Sequence, residues 1–283
     1  MRRDMRVFLR LVVASACCVA AAQPAGAQEG TASWPLEVVN RPLTLAAGMV
    51  EIGGDSVIVG VSGGEADPGQ PIVLAPELRY GVSGQLQIGV THTNHFPFFP
   101  VAGLCVSGEE NGCPKLYNAI GAEVEYALAR GGSAELSARV GGTVGRFDPD
   151  LALGATAGLE ARLRSGSIAV VVDPNVYIGI IERDTFPIGM AGDSHPDWLF
   201  LPVHLQLQAT AQAMLYVMSG LNTPLEDMGD FYQIPAGLGG TYAFSNRMDA
   251  GLELQIVNAA GKDLGPVEKF DQRTLIARIA FRL

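Results

Sequence analysis

The sequence predicts an all-β protein, an antiparallel up-and-down transmembrane β-barrel of about twelve strands. Three observations predict this fold. Apolar and polar residues alternate along twelve successive segments, tight turns and longer loops alternate between those segments, and the chain is 48% hydrophobic. No apolar run after residue 27 is long enough for a membrane-spanning helix. Because a strand presents every second side chain to each face, such dispersed apolar residues suit a barrel wall that faces lipid.

The first 27 residues are typical of a signal peptide. Three arginines lie within residues 1–6, an apolar segment follows, and Ala25-Gly26-Ala27 offers the small residues that a signal peptidase recognises. Residues 20–22 offer an alternative cleavage point, and a lipid anchor at Cys17 is a weaker alternative because the usual leucine-like residue before it is absent. The pattern predicts export.

Removal of the signal defines two further regions. We expect the mature chain to start at Gln28 with a short periplasmic N-terminal segment at 28–40, and the barrel to occupy 41–283. Residues 1–27 carry four arginines and one aspartate, so their removal changes the formal net charge from −10 to −13. A chain this acidic, with three lysines, has no basic surface for nucleic acid, and we expect none to bind.

The twelve predicted strands each have one apolar and one polar face. Most are about as long as a tilted strand needs to be to cross a membrane. They are residues 45–53, 73–82, 85–93, 118–128, 134–144, 151–163, 168–180, 199–209, 213–221, 232–244, 248–256 and 274–283. The last strand shows the alternation best, with an apolar face of Leu275, Ala277, Ile279, Phe281 and Leu283.

The connections alternate in length, which predicts a barrel with short periplasmic turns and longer extracellular loops. The tight turns are Ser83-Gly84, Gly131-Gly132, Ser165-Gly166, 210–212 and 245–247. The other connections are 54–71, 94–117, 146–150, 182–197, 222–230 and 259–271, of which only 146–150 is short.

Aromatic residues cluster near both ends of the predicted strands and suggest two girdles at the membrane interfaces. The turn-side set is Tyr80, Tyr126, Tyr242, Phe244 and Phe281, and the loop-side set is Trp198, Phe200, Phe231 and Tyr232. Four prolines (76, 174, 202 and 235) fall within predicted strands, where each removes a backbone donor. A true turn at Pro174 would divide its strand and change the number of strands.

The chain resembles Gram-negative outer-membrane β-barrel proteins over essentially its whole mature length. The resemblance rests on the signal sequence, the alternation and a last strand that ends Ile279-Ala280-Phe281-Arg282-Leu283, where leucine replaces the more usual final phenylalanine. It implies insertion by the outer-membrane assembly machinery, with lipid and lipopolysaccharide as neighbours. It identifies no specific family and therefore no solute.

If the apolar faces contact lipid, the polar faces line the lumen. The predicted lumen-lining residues are Glu51, Glu77, Arg79, Glu123, Glu125, Glu135, Arg139, Glu160, Arg162, Asp173, Asp249, Glu253, Arg278 and Arg282. Arginines opposite carboxylates either border a water-filled path or fill the barrel with ion pairs, and the two arrangements have equal support. An open lumen with this acid excess predicts cation preference.

Two cysteines remain in the mature chain, Cys105 and Cys113, in a loop rich in Gly, Pro and Asn. Export favours a disulfide between them. A shared metal ion is the alternative, although no second cysteine pair or nearby histidine completes a zinc site. We predict the disulfide and expect no metal site and no cofactor.

Three functions are compatible with this fold. The first is a small pore for passive transport of small solutes, and the second is a plugged barrel that acts through its extracellular loops. The third is an outer-membrane hydrolase, which is disfavoured because the four histidines (92, 95, 195 and 204) accompany no recognisable serine nucleophile. Acidic loop residues such as Glu109 and Glu110 add a further expectation, that divalent cations bridge them to lipopolysaccharide.

Overall fold

The computed structural model describes most of the chain beyond the predicted signal peptide. The described residues are 34–61, 71–92, 103–107, 113, 116–117, 119–145, 151–182, 197–226, 228–262, 269–270 and 272–283. The predicted signal peptide, Glu109, Glu110, His95 and His195 lie outside them. Among the described residues, no helix is long and apolar enough to span a membrane.

Fourteen strand segments and one short 3-10 helix make up the described structure. The helix is Val38–Asn40, and it precedes every strand. The strands are β1 Val50–Val61, β2 Ile72–Gly81, β3 Leu86–Thr91, β4 Leu104–Cys105, β5 Ala119–Arg130, β6 Ala134–Gly145, β7 Ala152–Ser165, β8 Ile168–Val172, β9 Asn175–Ile181, β10 Asp197–Gln208, β11 Ala213–Pro224, β12 Ala236–Ser245, β13 Met248–Ile256 and β14 Gln272–Arg282.

These segments close into one antiparallel barrel of twelve strands, which confirms the predicted fold class. Strand β1 pairs with β2 on one side and with β14 on the other, so the sheet has no free edge there. Two barrel strands are each built from two segments: β8 and β9 both lie between β7 and β10, and β4 continues the position of β3 beside β2. Closure pairs the backbone groups that a lipid environment could not satisfy.

The break between β8 and β9 shows how the barrel accommodates two of its prolines. The register of β10 against both segments is continuous, so Pro202 faces Asp173 across the interruption, and Pro174 is next to it. The two prolines therefore interrupt the same place in the ladder, and the Asp173 N–H still donates to the Pro202 carbonyl at 3.1 Å. Because both prolines lie at the same interruption, β8 and β9 together count as one barrel strand, and the number of strands stays even.

Where β3 ends and before β4 begins, a histidine side chain replaces a backbone contact of the ladder. The register of β2 against β3 would bring Pro76 opposite His92, one residue after β3 ends. Nδ1–H of His92 donates to the Pro76 carbonyl at 2.5 Å, and Nε2 lies 2.7 Å from the Tyr117 hydroxyl. The imidazole therefore takes the place of a backbone donor where the ladder stops.

The barrel has two distinct ends. The end with the tight connections, at residues 82–85, 131–133, 166–167, 209–212 and 246–247, is called the turn end, and the opposite end is called the loop end. Both Val50 and the C-terminal Leu283 lie at the turn end, where their backbones hydrogen-bond each other at 3.1 and 2.9 Å.

The wall has an apolar outer face. Large apolar side chains at alternate positions are exposed on it, from Leu78 and Val124 to Leu163, Val217 and Leu252, the most exposed of these being Leu163 at 61%. The intervening positions point inward and are mostly polar. A belt of exposed apolar side chains that continues from strand to strand is what lipid contact requires.

Three predicted features differ in the structure. Strand β1 runs Val50–Val61 rather than 45–53, because its backbone stays paired with β2 and β14 through Gly53 and Gly54, where the sequence alternation stops. Strand β12 begins at Ala236, so Pro235 lies before it. The loop-side girdle is wrong for Trp198 and Phe200, which are buried inside the barrel, whereas Tyr80, Tyr242, Phe244 and Phe281 are exposed as predicted.

Candidate functional site

The candidate site is the barrel interior, whose inward positions carry most of the charge in the strands. All fourteen side chains predicted to line the lumen occupy inward positions of the alternation. The structure adds Asp55, Arg41 and Arg164, which the sequence pattern missed. The described interior thus holds ten carboxylates and seven arginines in ion-pair networks.

The first network surrounds Arg79 on β2. Its guanidinium lies 2.7 Å from Glu77, 3.5 Å from Glu51 and 3.5 Å from Glu123. These carboxylates come from β2, β1 and β5, so the arginine connects three parts of one wall. The Arg79 side chain nevertheless remains 28% exposed, and this exposure is to the interior because the residue points inward.

A second network surrounds Arg139 on β6. It pairs with Glu160 at 3.3 Å and with Asp173, the residue at the break between β8 and β9. Nearby, the buried Glu125 carboxylate accepts hydrogen bonds from Ser137 at 2.6 Å and from Gln87 at 2.8 Å. Asp173 therefore connects the break between β8 and β9 to the charged network on β6 and β7.

The third network contains the most exposed cation of the lumen. Arg278 on β14 pairs with Asp55 at 3.2 Å and with Glu253 at 2.8 Å, and the same guanidinium donates to the Tyr216 hydroxyl at 3.1 Å. Its side chain is 42% exposed. The Tyr216 hydroxyl also donates to Glu253 at 2.5 Å. The Arg278 guanidinium is thus held by three groups while its side chain stays partly exposed to solvent.

The turn end holds charges that are far less exposed. Arg282 and Arg41 both pair with Asp249, at 2.6 and 2.5 Å, and Glu135 accepts from Arg164 at 3.1 Å. Burial lowers the pKa of the Arg41 guanidinium, and the charge of Asp249 opposes that shift. Such pairs are stable only while each partner keeps its counter-charge, because an unpaired buried charge is very unfavourable.

Three neighbouring strands, β10 to β12, contribute no charged inward side chain. Their inward residues include Phe200, His204, Gln206, Met214, Tyr216 and Met218. Tyr216 on β11 lies directly over a glycine of β12, since a Cβ at Gly239 would meet its ring at 2.5 Å. Tyr177 on β9 does the same over β7, where a Cβ at Gly154 would meet its ring at about 2 Å. The glycines in Gly237-Leu238-Gly239-Gly240 therefore make room for side chains, a role that we did not predict.

An N-terminal segment, defined as residues 34–45, lies against this interior at the turn end. The backbone N–H groups of Val39, Leu43 and Leu45 donate to Gln208 at 3.2 Å, Glu135 at 3.2 Å and Gln87 at 3.0 Å. Arg164 donates to the Val39 carbonyl at 3.3 Å, and Arg162 donates to the Arg41 carbonyl. The part of the chain predicted to be a periplasmic segment, as far as it is described, contacts the barrel's inward side chains.

Two clusters of buried apolar side chains lie at the loop end of the barrel. Cys105 and Cys113 form the predicted disulfide, which packs with Val73 of β2 and Ile276 of β14. A second cluster joins Tyr177, Trp198, Phe200, Met218 and Val257, with Phe231 against it. The disulfide prediction is confirmed, and its position adds that Cys105 and Cys113 pack against inward side chains of β2 and β14.

Comparison with known proteins matches this architecture to solved membrane barrels. No protein-family model and no curated protein matches the sequence. A KdgM porin, solved in complex with disordered oligogalacturonate, is 7% identical with a TM-score of 0.51, and the match covers 82% of this chain and 98% of that chain. The fold is that of outer-membrane channels. An outer-membrane channel from Pseudomonas putida F1 is 12% identical with the same TM-score, over 85% of this chain and 97% of that one.

Neither histidine in the described chain forms the arrangement that a hydrolase requires. His92 contacts Pro76 and Tyr117, and His204 points inward with its ring 5.7 Å from that of Tyr216. Neither imidazole accepts a hydrogen bond from a serine hydroxyl, the contact that would activate a nucleophile.

Proposed function

We propose that this protein is an outer-membrane channel for passive diffusion of small polar solutes, with a net acidic lumen that favours cations. The observation that carries the proposal is the combination of an exposed apolar belt with charged inward side chains that remain partly exposed, chiefly Arg278 and Arg79. A barrel that faces lipid on the outside and keeps solvated charges within provides a polar path through a membrane.

The lumen's selectivity follows from its paired charges. Each inward arginine of the described residues is paired with a carboxylate, so attraction of anions to Arg278 or Arg79 competes with carboxylates already within 3.5 Å. Carboxylates outnumber arginines among the described inward residues, and a ring of excess acid favours cations. The acidic mature chain adds to the same field.

Planar-bilayer recording tests this proposal. We expect discrete conductance steps and, in a potassium chloride gradient, a reversal potential displaced toward that of potassium. A protein that inserts but conducts nothing, whether or not residues 34–45 are present, would disprove the channel. A clear anion preference would contradict the acidic selectivity while leaving the channel in place.

A second candidate function is a closed barrel that acts through its extracellular loops. The observation that favours it is that side chains and backbone pack inside the barrel at both ends, from the N-terminal segment at the turn end and from the two apolar clusters at the loop end. Conductance after removal of the N-terminal segment distinguishes the two candidates, because only the channel would then pass ions.

A further inference from the structure

The N-terminal segment reaches across the whole width of the barrel. Its hydrogen-bond partners Gln87, Glu135, Gln208 and Asp249 belong to β3, β6, β10 and β13. In the order around the barrel these four strands are well separated, so a chain that touches all of them crosses the interior. The segment therefore occupies the cross-section of the turn end and does not follow one wall.

The barrel wall holds the segment by its backbone. Side-chain oxygens of two glutamines and one glutamate accept its N–H groups, and Arg162 and Arg164 donate to its carbonyls. These are the contacts that a strand partner would make in a sheet, supplied here by side chains. Unsatisfied backbone groups would be costly in an enclosed lumen, and this arrangement satisfies them.

The side chains of the segment match the two kinds of wall that they meet. Val39 and Val38 pack against Ala169, Met214 and Tyr216, on the side that carries no charge. Arg41 points to the charged side and pairs with Asp249. Trp34 lies against Arg282, with 5.6 Å between the guanidinium and the ring centre. The wall residues that contact the segment are called the seat, and they match both its apolar and its cationic side chains.

The segment is tethered to the barrel by a compact turn. Gly48 adopts a φ of 77°, a conformation that favours glycine, and its N–H donates to the Gly81 carbonyl at 2.7 Å. Strand β1 begins two residues later. The backbone hydrogen bonds between barrel strands begin after this turn. The segment itself is held to the wall by hydrogen bonds and packing contacts that involve side chains. The barrel's own closure between β1 and β14 does not require it.

We propose that the N-terminal segment is a tethered plug that blocks passage through the turn end, and that its departure from the seat opens the channel. This inference rests on the proposed channel function and adds its regulation. The mobile element is the segment as far as the turn at Gly48, and the fixed element is the inward wall from Gln87 to Asp249 that binds it.

The test compares the full mature chain with a variant that lacks residues 34–45 but keeps the turn at 46–49. Conductance of both is recorded in planar bilayers, and a synthetic peptide of residues 34–45 is then added to the side of the turn end. We expect the deletion to raise the open conductance severalfold and the peptide to reduce it again. A peptide with Arg41→Ala should block more weakly than the native peptide.

A point variant avoids dependence on the deletion. Arg41→Ala in the full chain should lengthen the open periods, whereas Arg41→Lys should retain most of the closure because it keeps the charge opposite Asp249. Arg273→Ala is the matched control, since this exposed arginine lies outside the seat and donates to the Phe270 carbonyl.

The outcomes separate the plug from the channel. If the full chain and the deletion variant conduct equally, the plug is wrong and the channel stands. If neither conducts, the channel function fails and the plug fails with it. If the deletion conducts more and the peptide restores the block, both are supported.

Discussion

Two groups of arginines and carboxylates on the same inward face differ in how much solvent they meet. The middle group comprises Asp55, Glu77, Arg79, Glu160, Asp173 and Arg278, whose side chains are 14–42% exposed. The turn-end group comprises Arg41, Glu135, Arg162, Arg164, Asp249 and Arg282, whose side chains are 7–11% exposed. The middle networks also contain Glu123, Arg139 and Glu253, which are only 4–8% exposed, so the contrast concerns their solvent-facing members. The second group is the one that the N-terminal segment contacts.

This difference separates structural charge from charge that a solute can meet. A covered pair holds the segment in place, and the loss of either partner leaves a buried charge with less compensation. A pair that faces water contributes little to stability, but it shapes the electric field along the path. The same alternation pattern in the sequence thus yields two different roles, according to what lies over each position.

The largest expected effect is on the free energy of unfolding, and it compares Asp249 of the turn-end group with Asp55 of the middle group. Replacing Asp249→Ala leaves Arg41 buried beside Arg282 without its ion-pair partner, although Arg282 keeps Glu51 at 2.7 Å, so we expect a loss of about 3–5 kcal/mol in the free energy of unfolding. The matched variant Asp55→Ala in the middle group should cost about 1 kcal/mol or less, because Arg278 keeps Glu253 and solvent. Urea titration in lipid vesicles, followed by tryptophan fluorescence, measures both. Equal losses would show that the two groups do not differ in burial as described.

The difference between the groups explains what sequence reasoning could and could not reach. Alternation determines which side chains point inward, so the twelve-strand barrel could be predicted from a period of two. Asp55 was missed because Gly53 and Gly54 interrupt that period. The partner of Arg41 lies 208 residues away, and residues 34–45 show no alternation to reveal that they enter the barrel.

The aromatic residues at the loop end illustrate a second limit of pattern reasoning. Trp198 and Phe200 share a face with His204 and Gln208, which the alternation assigns inward. An aromatic near a strand end suggests an interfacial girdle, but here the interior itself is apolar at the loop end. Periodicity predicts on which face of a strand a side chain lies. Whether that face contacts water depends on the side chains packed around it in the fold.

A smaller effect concerns how fast a soluble reagent reaches a side chain in each group. With Glu160→Cys in the middle group and Glu135→Cys at the turn end, we expect a charged thiol reagent to modify the turn-end cysteine roughly tenfold more slowly, since reaction there requires local opening of the segment. Removal of residues 34–45 should abolish that difference. The native chain is the control, because its cystine at Cys105 and Cys113 offers no free thiol in the described residues. A rate ratio that the deletion leaves unchanged would mean that something other than the segment covers Glu135.

The smallest effect concerns selectivity in the middle group. Replacing Arg278→Gln removes the most exposed positive charge and leaves Asp55 and Glu253 in place, so the lumen becomes more acidic without gaining an unpaired buried cation. We expect the potassium-to-chloride permeability ratio to rise roughly twofold, as for a single charge in a partly solvated pore. Arg273→Gln removes the same charge from an exposed position outside these networks and should leave the ratio unchanged. Reversal potentials in a salt gradient measure both, and the effect should shrink at high ionic strength because salt screens a solvated charge. A ratio that responds to Arg273→Gln as strongly as to Arg278→Gln would mean that selectivity arises from the net charge of the chain, and the contrast between covered and solvated lumen charges would then have no bearing on transport.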